Sequence, residues 1–168
     1  DRRTRVYKQK VGEFNEEDLV ANLRQQLERL NGFAFTDSEW KQFFTTEIAN
    51  ANQSIEEKTA TIQEDYIKNF IRDDGTTKNV YLLKKDNVHN NSLQVINQYA
   101  TEDGQRANRY DVTILVNGLP LVHVELKRRG VAIQEAFNQI NRYQRESFWA
   151  SAGLFEYVQL FIISNGTH

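Results

Sequence analysis

Apolar positions recur at helical spacing in the first part of the chain and turn to alternation in the second. Leu19, Leu23, Leu27 and Leu30 predict a helix over about 16–30, stopped by Asn31-Gly32. A second helix is expected from about Thr36, where Thr36 and Glu39 stand at capping-box spacing, with Trp40, Phe43, Phe44 and Ile48 as its buried stripe. Over 53–72 the Ile and Tyr positions fit a helix or a strand equally well, and Asp73-Asp74-Gly75 marks a turn. Extended runs follow at 80–83 and 93–96, separated by a polar loop around Asn90-Asn91.

The clearest element is a β-hairpin, 111–116 and 121–127, turning at Asn117-Gly118. Gly130 breaks the pattern, 132–148 reads as a helix, and 157–163 is a continuous apolar run of strand type. Strand, helix, strand in that order implies a right-handed crossover to a parallel neighbour. The fold class is α/β, a mixed sheet flanked by helices, in a single domain over 1–168. Residues 1–75 are expected to be mainly helical, and 76–168 to hold the sheet and the hairpin.

Hydrophobic alternation sets the hairpin register. Val112, Ile114 and Val116 share one face, as do Val122, Val124 and Leu126, and pairing both sets in the core matches Val112 with Val124. That register calls for a three-residue loop, Asn117-Gly118-Leu119, with Pro120 at the first strand position, where a missing N–H is tolerated. It also puts Asp111 opposite Glu125, with Lys127 two residues on along the same face. An acidic pair of this kind suits Mg²⁺, which prefers carboxylate oxygens. A metal there could polarise a phosphodiester, and Lys127 could orient or deprotonate the attacking water or stabilise the transition state. The bland alternative is a solvated strand face with a weak ion pair.

Composition narrows the classes. The 168 residues include no Cys, which excludes a disulfide scaffold, thiolate metal sites and a cysteine nucleophile. Hydrophobic residues make up 39% and charged residues 26%, and ten Phe and seven Tyr argue against disorder. With a formal net charge of −2, any DNA contact has to rest on local charge. No apolar run approaches the roughly 18 residues of a membrane span, so a cytoplasmic location is expected. The ends read as cut from something larger, with no initiator Met and a strand running out into Asn165-Gly166.

Residues 109–127, RYDVTILVNGLPLVHVELK, closely resemble the nuclease motif of type I restriction R (HsdR) subunits, members of the PD-(D/E)xK nuclease superfamily. The resemblance extends through 95–99, 136–139 and 161–166, strongly in the C-terminal half and more loosely before it. It implies a restriction-endonuclease-like fold. Asp111 and Glu125 then match the family's metal-binding acids and Lys127 its catalytic lysine; Gln139 and Tyr143 match a Q-x-x-x-Y motif, one helical turn apart. Tyr110 stands where proline precedes the aspartate in the superfamily pattern. Related nucleases often add a glutamate from the first helix, for which Glu16, Glu17 and Glu28 are all open.

Arg128 and Arg129, beside the hairpin, would suit phosphate contacts that position DNA without reading it; Lys84-Lys85 and Arg142 with Arg145 are weaker candidates. His123 shares the acidic face and is expected to be a hydrogen-bonded strand residue rather than a ligand, while His89 and His168 have no supporting partners. No G-x-x-x-x-G-K-[ST] occurs, so ATP belongs only to a full-length subunit. The resemblance implies Mg²⁺ or Mn²⁺ as cofactor and double-stranded DNA as substrate. It also implies methyltransferase (M) and specificity (S) subunits as partners, and cleavage after ATP-driven translocation by other domains. Two other readings remain, a RecB-like nuclease, against which the NGLPL turn argues, and a non-catalytic DNA-binding or docking module.

Overall fold

The computed structural model is described over residues 16–103, 106–127, 134 and 153–165, with side chains over 16–96, 112–127, 134 and 153–165. The leucine stripe forms helix α1, Glu16–Asn31, which buries Leu19, Leu23 and Leu27 completely. Its acidic first turn and Arg29 in the last turn complement the helix dipole. Gly32 ends it in the left-handed region, φ 71°, its N–H donating to the Glu28 carbonyl at 2.9 Å.

Helix α2, Asp37–Phe43, begins with the expected capping box. Thr36 Oγ1 accepts from the Glu39 N–H at 3.1 Å, and the Glu39 carboxylate accepts from the Thr36 N–H at 2.9 Å. A π-helical turn, Phe44–Ile48, continues it. Trp40, Phe43 and Ile48 are buried and Phe44 packs at their edge. Phe35 stacks on Phe43 at 5.3 Å, and Phe70 meets both edge-on.

The ambiguous stretch contains both structures. Helix α3, Ile55–Gln63, is capped by a second box from Ser54 and Glu57, and strand β1, Ile67–Ile71, follows it. Extended chain therefore starts earlier than residue 76. β1 pairs antiparallel with β2, Thr77–Tyr81, around the expected turn, as a separate two-stranded sheet.

The main sheet has the order β3-β4-β5-β6, with β3 Leu93–Asp103, β4 Arg106–Val116, β5 Leu119–Leu126 and β6 Leu160–Ser164. The first three are antiparallel and β6 runs parallel to β5, Val124 beside Ile162. The helix expected between them at 132–148 lies outside the described residues apart from Gln134, which is helical. β6 starts later than the apolar run suggested, because Leu154–Tyr157 forms a buried 3₁₀ turn. Its Tyr157 hydroxyl donates to the Ile48 carbonyl at 2.9 Å, tying the turn to the first helical layer.

The hairpin register is the expected one, Val112 opposite Val124, but the loop is not. Val116 pairs with Leu119, leaving a tight two-residue turn of Asn117, φ 51°, and Gly118, φ 86°. The extra residue appears instead as a bulge at Leu121, where the pairing shifts between Ile114 and Leu115. Pro120 is thus the second strand residue and opposes Leu115. A bulge is easily accommodated beside a residue that has no N–H to give the ladder. Gly118 has a second constraint, since a Cβ there would lie 2.6 Å from Leu23 Cα, so α1 rests directly on the turn.

The core face also needs correction. Val112, Ile114, Val122 and Val124 are only half-buried and Leu126 is 50% exposed, whereas Thr113, Leu115, His123 and Glu125 are buried. Among the described residues α1 lies over part of that second face, at Gln94 opposite Leu115, and Phe161 of β6 packs edge-on against His123. The side-chain amides of Asn22 on α1 and Gln94 on β3 exchange hydrogen bonds at 3.0 and 2.8 Å.

Candidate active site

Glu125 is the penultimate residue of β5, and the strand's alternation turns it to the covered face beside His123. Its side chain is 1% exposed, which rules out the solvated-face reading. Lys127 follows two residues later, and its Nζ donates to Glu125 Oε1 at 2.8 Å while remaining partly open to solvent. The Lys127 backbone is fixed as well, its N–H donating to the Ser164 carbonyl at the end of β6.

The second carboxylate oxygen, Oε2, is buried and lies 3.5 Å from His123 Nε2, beyond ordinary hydrogen-bond length. Nδ1 of the same imidazole is 3.4 Å from Thr113 Oγ1, its cross-strand neighbour. Burial alone would push the Glu125 carboxyl up. The adjacent His123 and Lys127, with the charge on Lys127, outweigh it and hold the group below the usual carboxylate value. Glu125 is therefore an ionised carboxylate in a buried setting at neutral pH.

Asp111 lies on β4 next to Val112, whose partner Val124 precedes Glu125, so the two acids occupy positions just beyond that pair. The side chain of Asp111 is outside the described side chains. Arg128, Arg129, Gln139 and Tyr143 are outside the described residues altogether. Of the candidate helix acids, Glu28 is engaged in the α1–α2 connection, accepting from Arg24 Nε and the Phe35 N–H, both at 3.0 Å. Glu16 and Glu17 stand in the first turn of α1.

Among the described residues no three His, Cys, Asp or Glu side chains gather as a ready metal cage. The described part of the site nevertheless fits a hard divalent cation. Glu125 offers an ionised carboxylate whose buried Oε2 has no hydrogen bond among the described residues, and such an atom is costly unless something else completes it. The contribution of His123 and Thr113 was not legible as a site. The available signal was a His two residues before the Glu, opposite a Thr across the ladder.

The comparisons with known proteins point one way. The family model described as type I restriction enzyme R protein N terminus matches residues 1–168. The chain is 52% identical over 153 residues to the type I restriction enzyme EcoprrI endonuclease subunit of Escherichia coli, covering 91% of this chain and 49% of that one. It is 45% identical over 159 residues to the SsaAORF53P endonuclease subunit of Staphylococcus saprophyticus, covering 90% of this chain and 16% of the relative. A putative subunit from Methanocaldococcus jannaschii, MjaVIIIP, is 36% identical over 112 residues, 59% of this chain and 10% of the relative. The chain thus spans half or less of the length of these relatives. Among the described residues no helix is long and apolar enough to cross a membrane.

Proposed function

The chain belongs to the family of type I restriction enzyme R protein N termini, and on that premise we propose that it is a divalent-metal-dependent endonuclease module cutting double-stranded DNA. The observation that carries this reading is the buried, ionised Glu125 with Lys127 at 2.8 Å. Asp111 and Glu125 would hold Mg²⁺ or Mn²⁺, and Lys127 would act on the reacting phosphate.

Bound there, the cation would polarise the scissile phosphate and acidify a water. The chain's own residues have distinct tasks. Glu125 presents Oε2 and is kept ionised by its neighbours. His123, between Thr113 and Glu125, lies close enough to Oε2 to bias the carboxylate's orientation. Lys127 donates hydrogen bonds at the mouth of the site, where it can align the attacking water and stabilise charge developing on the phosphate. In the hydrolysis the water oxygen joins phosphorus, one P–O ester bond breaks, and the leaving oxygen takes up a proton. Arg128 and Arg129 follow the hairpin in sequence and would contact DNA phosphates, while Gln139 and Tyr143 would reach DNA or brace the catalytic strands. The names of the relatives support a place as a subunit of a type I restriction enzyme; M and S subunits as partners, a cytoplasmic location and ATP-driven translocation by other domains complete the proposal.

Calorimetric titration of the chain with Mg²⁺ and Mn²⁺, for wild type and Asp111→Ala, tests this. Binding that disappears in the variant is expected. Equal binding by both would overturn the metal assignment, and DNA binding that ignores the cation altogether would favour a non-catalytic docking module.

A further inference from the structure

Helix α1 and the α2 layer leave a groove of about 770 Å³ between them. Val20 and Ala21 of α1, Trp40 of α2 and Phe44 of the π-helical turn give it an apolar lining. Ala21 is exposed and Val20 and Phe44 are only half-buried, so this apolar surface is gathered in one place rather than scattered. Charge in the lining is one-sided. Glu16 and Glu17 stand at the N-terminal end of α1. Arg24, the only cation among the described lining residues, is already taken up, by Glu28 at 3.0 Å, Asp37 at 2.7 Å and the Phe35 carbonyl at 2.6 Å.

The chain itself carries a segment of matching chemistry. Residues 1–15 lie outside the described residues and join α1 at Glu16, which is among the groove's lining residues. They hold Arg2, Arg3, Arg5, Lys8 and Lys10 against Asp1 and Glu13. Val6 and Tyr7 stand together between Arg5 and Lys8. Reach is not a constraint. Helix α1 advances about 12 Å from Glu16 to Arg24, whereas residues 8–15 span about 26 Å when extended. A tethered segment also meets its groove at an effective concentration on the order of millimolar, so a modest contact suffices.

We propose that the basic segment 2–8 of this chain docks in the groove. Val6 and Tyr7 bury apolar surface against Val20, Trp40 and Phe44, and Arg5 and Lys8 face Glu16 and Glu17. The Tyr7 ring can pack while its hydroxyl stays at the water's edge. Docked, these cations are held at an acidic helix end and withheld from other polyanions. The groove shares no residue with Asp111, Glu125 or Lys127, so the inference does not rest on the metal reading.

The chain has no Cys, so a pair of introduced thiols reports the contact without background. In the full chain, Gln9→Cys/Ala21→Cys is compared with Gln9→Cys/Gln42→Cys under the same mild oxidant. Gln42 is exposed on α2 and is not among the lining residues. The first pair is expected to close its intramolecular disulfide about tenfold faster or more, because docking raises the local concentration at Ala21. Added salt should narrow that advantage. Arg5→Glu/Lys8→Glu in the same background should remove it, and Glu16→Lys/Glu17→Lys added to those should restore it, each variant first checked for an unchanged Tm. Equal rates for the two pairs, an advantage that survives the charge reversal, or a link joining two copies of the chain would overturn the proposal. Equal rates together with a DNA duplex affinity that falls on Arg5→Glu/Lys8→Glu would assign the segment to nucleic acid instead.

Discussion

Lys127 Nζ sits 2.8 Å from one oxygen of Glu125, while the other oxygen faces the His123 imidazole at 3.5 Å. The buried carboxylate is thus held on one side by Lys127 and has an imidazole close to the other. Substituting Lys127→Ala or Glu125→Gln is expected to lower DNA cleavage by about a hundredfold or more, with DNA binding retained. A cleavage assay paired with duplex binding reads both, and retained cleavage in either variant would remove that residue from the mechanism.

On the proposed function His123 would act through Glu125 rather than on substrate. His123→Phe keeps the volume of the ring in a buried position and removes the nitrogen near Oε2. Affinity for Mn²⁺ should fall by about 10- to 100-fold, the usual cost of losing a partner that orients a ligand. The fold, followed by circular dichroism, should persist. A purely structural histidine would change Tm and leave metal affinity alone.

Gly118 carries both a positive φ and α1 lying against it. Gly118→Ala is expected to destabilise by at least about 2 kcal/mol, because the left-handed backbone is costly and the helix must shift as well. Urea unfolding measures this. A loss below about 0.5 kcal/mol would mean that α1 adjusts freely.

Lys58 on α3 and Glu156 in the 3₁₀ turn before β6 form an ion pair, with side chains only 4% and 3% exposed. Lys58→Met alone should cost about 3–5 kcal/mol, because it strands a buried carboxylate. Lys58→Met/Glu156→Leu should recover most of that loss. If the double variant proves as unstable as the single one, the pair does more than neutralise itself.

Glu39 is depressed to about 2, chiefly by its hydrogen bonds from Arg72 and then by the Thr36 N–H of the capping box. A lowered carboxyl stabilises the fold above its unfolded value, near 4.5, and loses that contribution as pH falls toward 2. Denaturant titrations of wild type and Glu39→Gln should therefore differ most near neutral pH and converge across that acid window. A constant gap between them would assign the stabilisation to shape rather than charge.

The sequence was legible where one physical signal acted alone. The leucine stripe of α1, the Thr36–Glu39 box and the valine register of the hairpin each follow from local periodicity or capping, and each is present. It failed where signals competed. Asn117-Gly118 favoured a tight turn while the valine pairing required one residue more, and the Leu121 bulge satisfied both demands. The valine face looked like the core because the polar face of Thr113, His123 and Glu125 looked like surface. The Asn22–Gln94 contact shows α1 reaching that face, which no local signal announces. For the site, Glu125 and Lys127 come together as their i, i+2 spacing requires. The Val112–Val124 register already put Thr113 opposite His123, but the burial of that imidazole beside Glu125 was not readable from the register.

The parallel pairing of β6 with β5 has a consequence in time as well as in space. A chain made from its N-terminus releases the hairpin with Glu125 well before Ser164, whose carbonyl holds the Lys127 backbone. Until the crossover returns, β5 is an unfinished edge and Lys127 lacks that anchor. The Glu125–Lys127 end of β5 is therefore among the last parts of this region to be set. A growing or truncated chain would carry Glu125 and Lys127 without that anchor, so on the proposed function cutting would wait until the surrounding fold is complete.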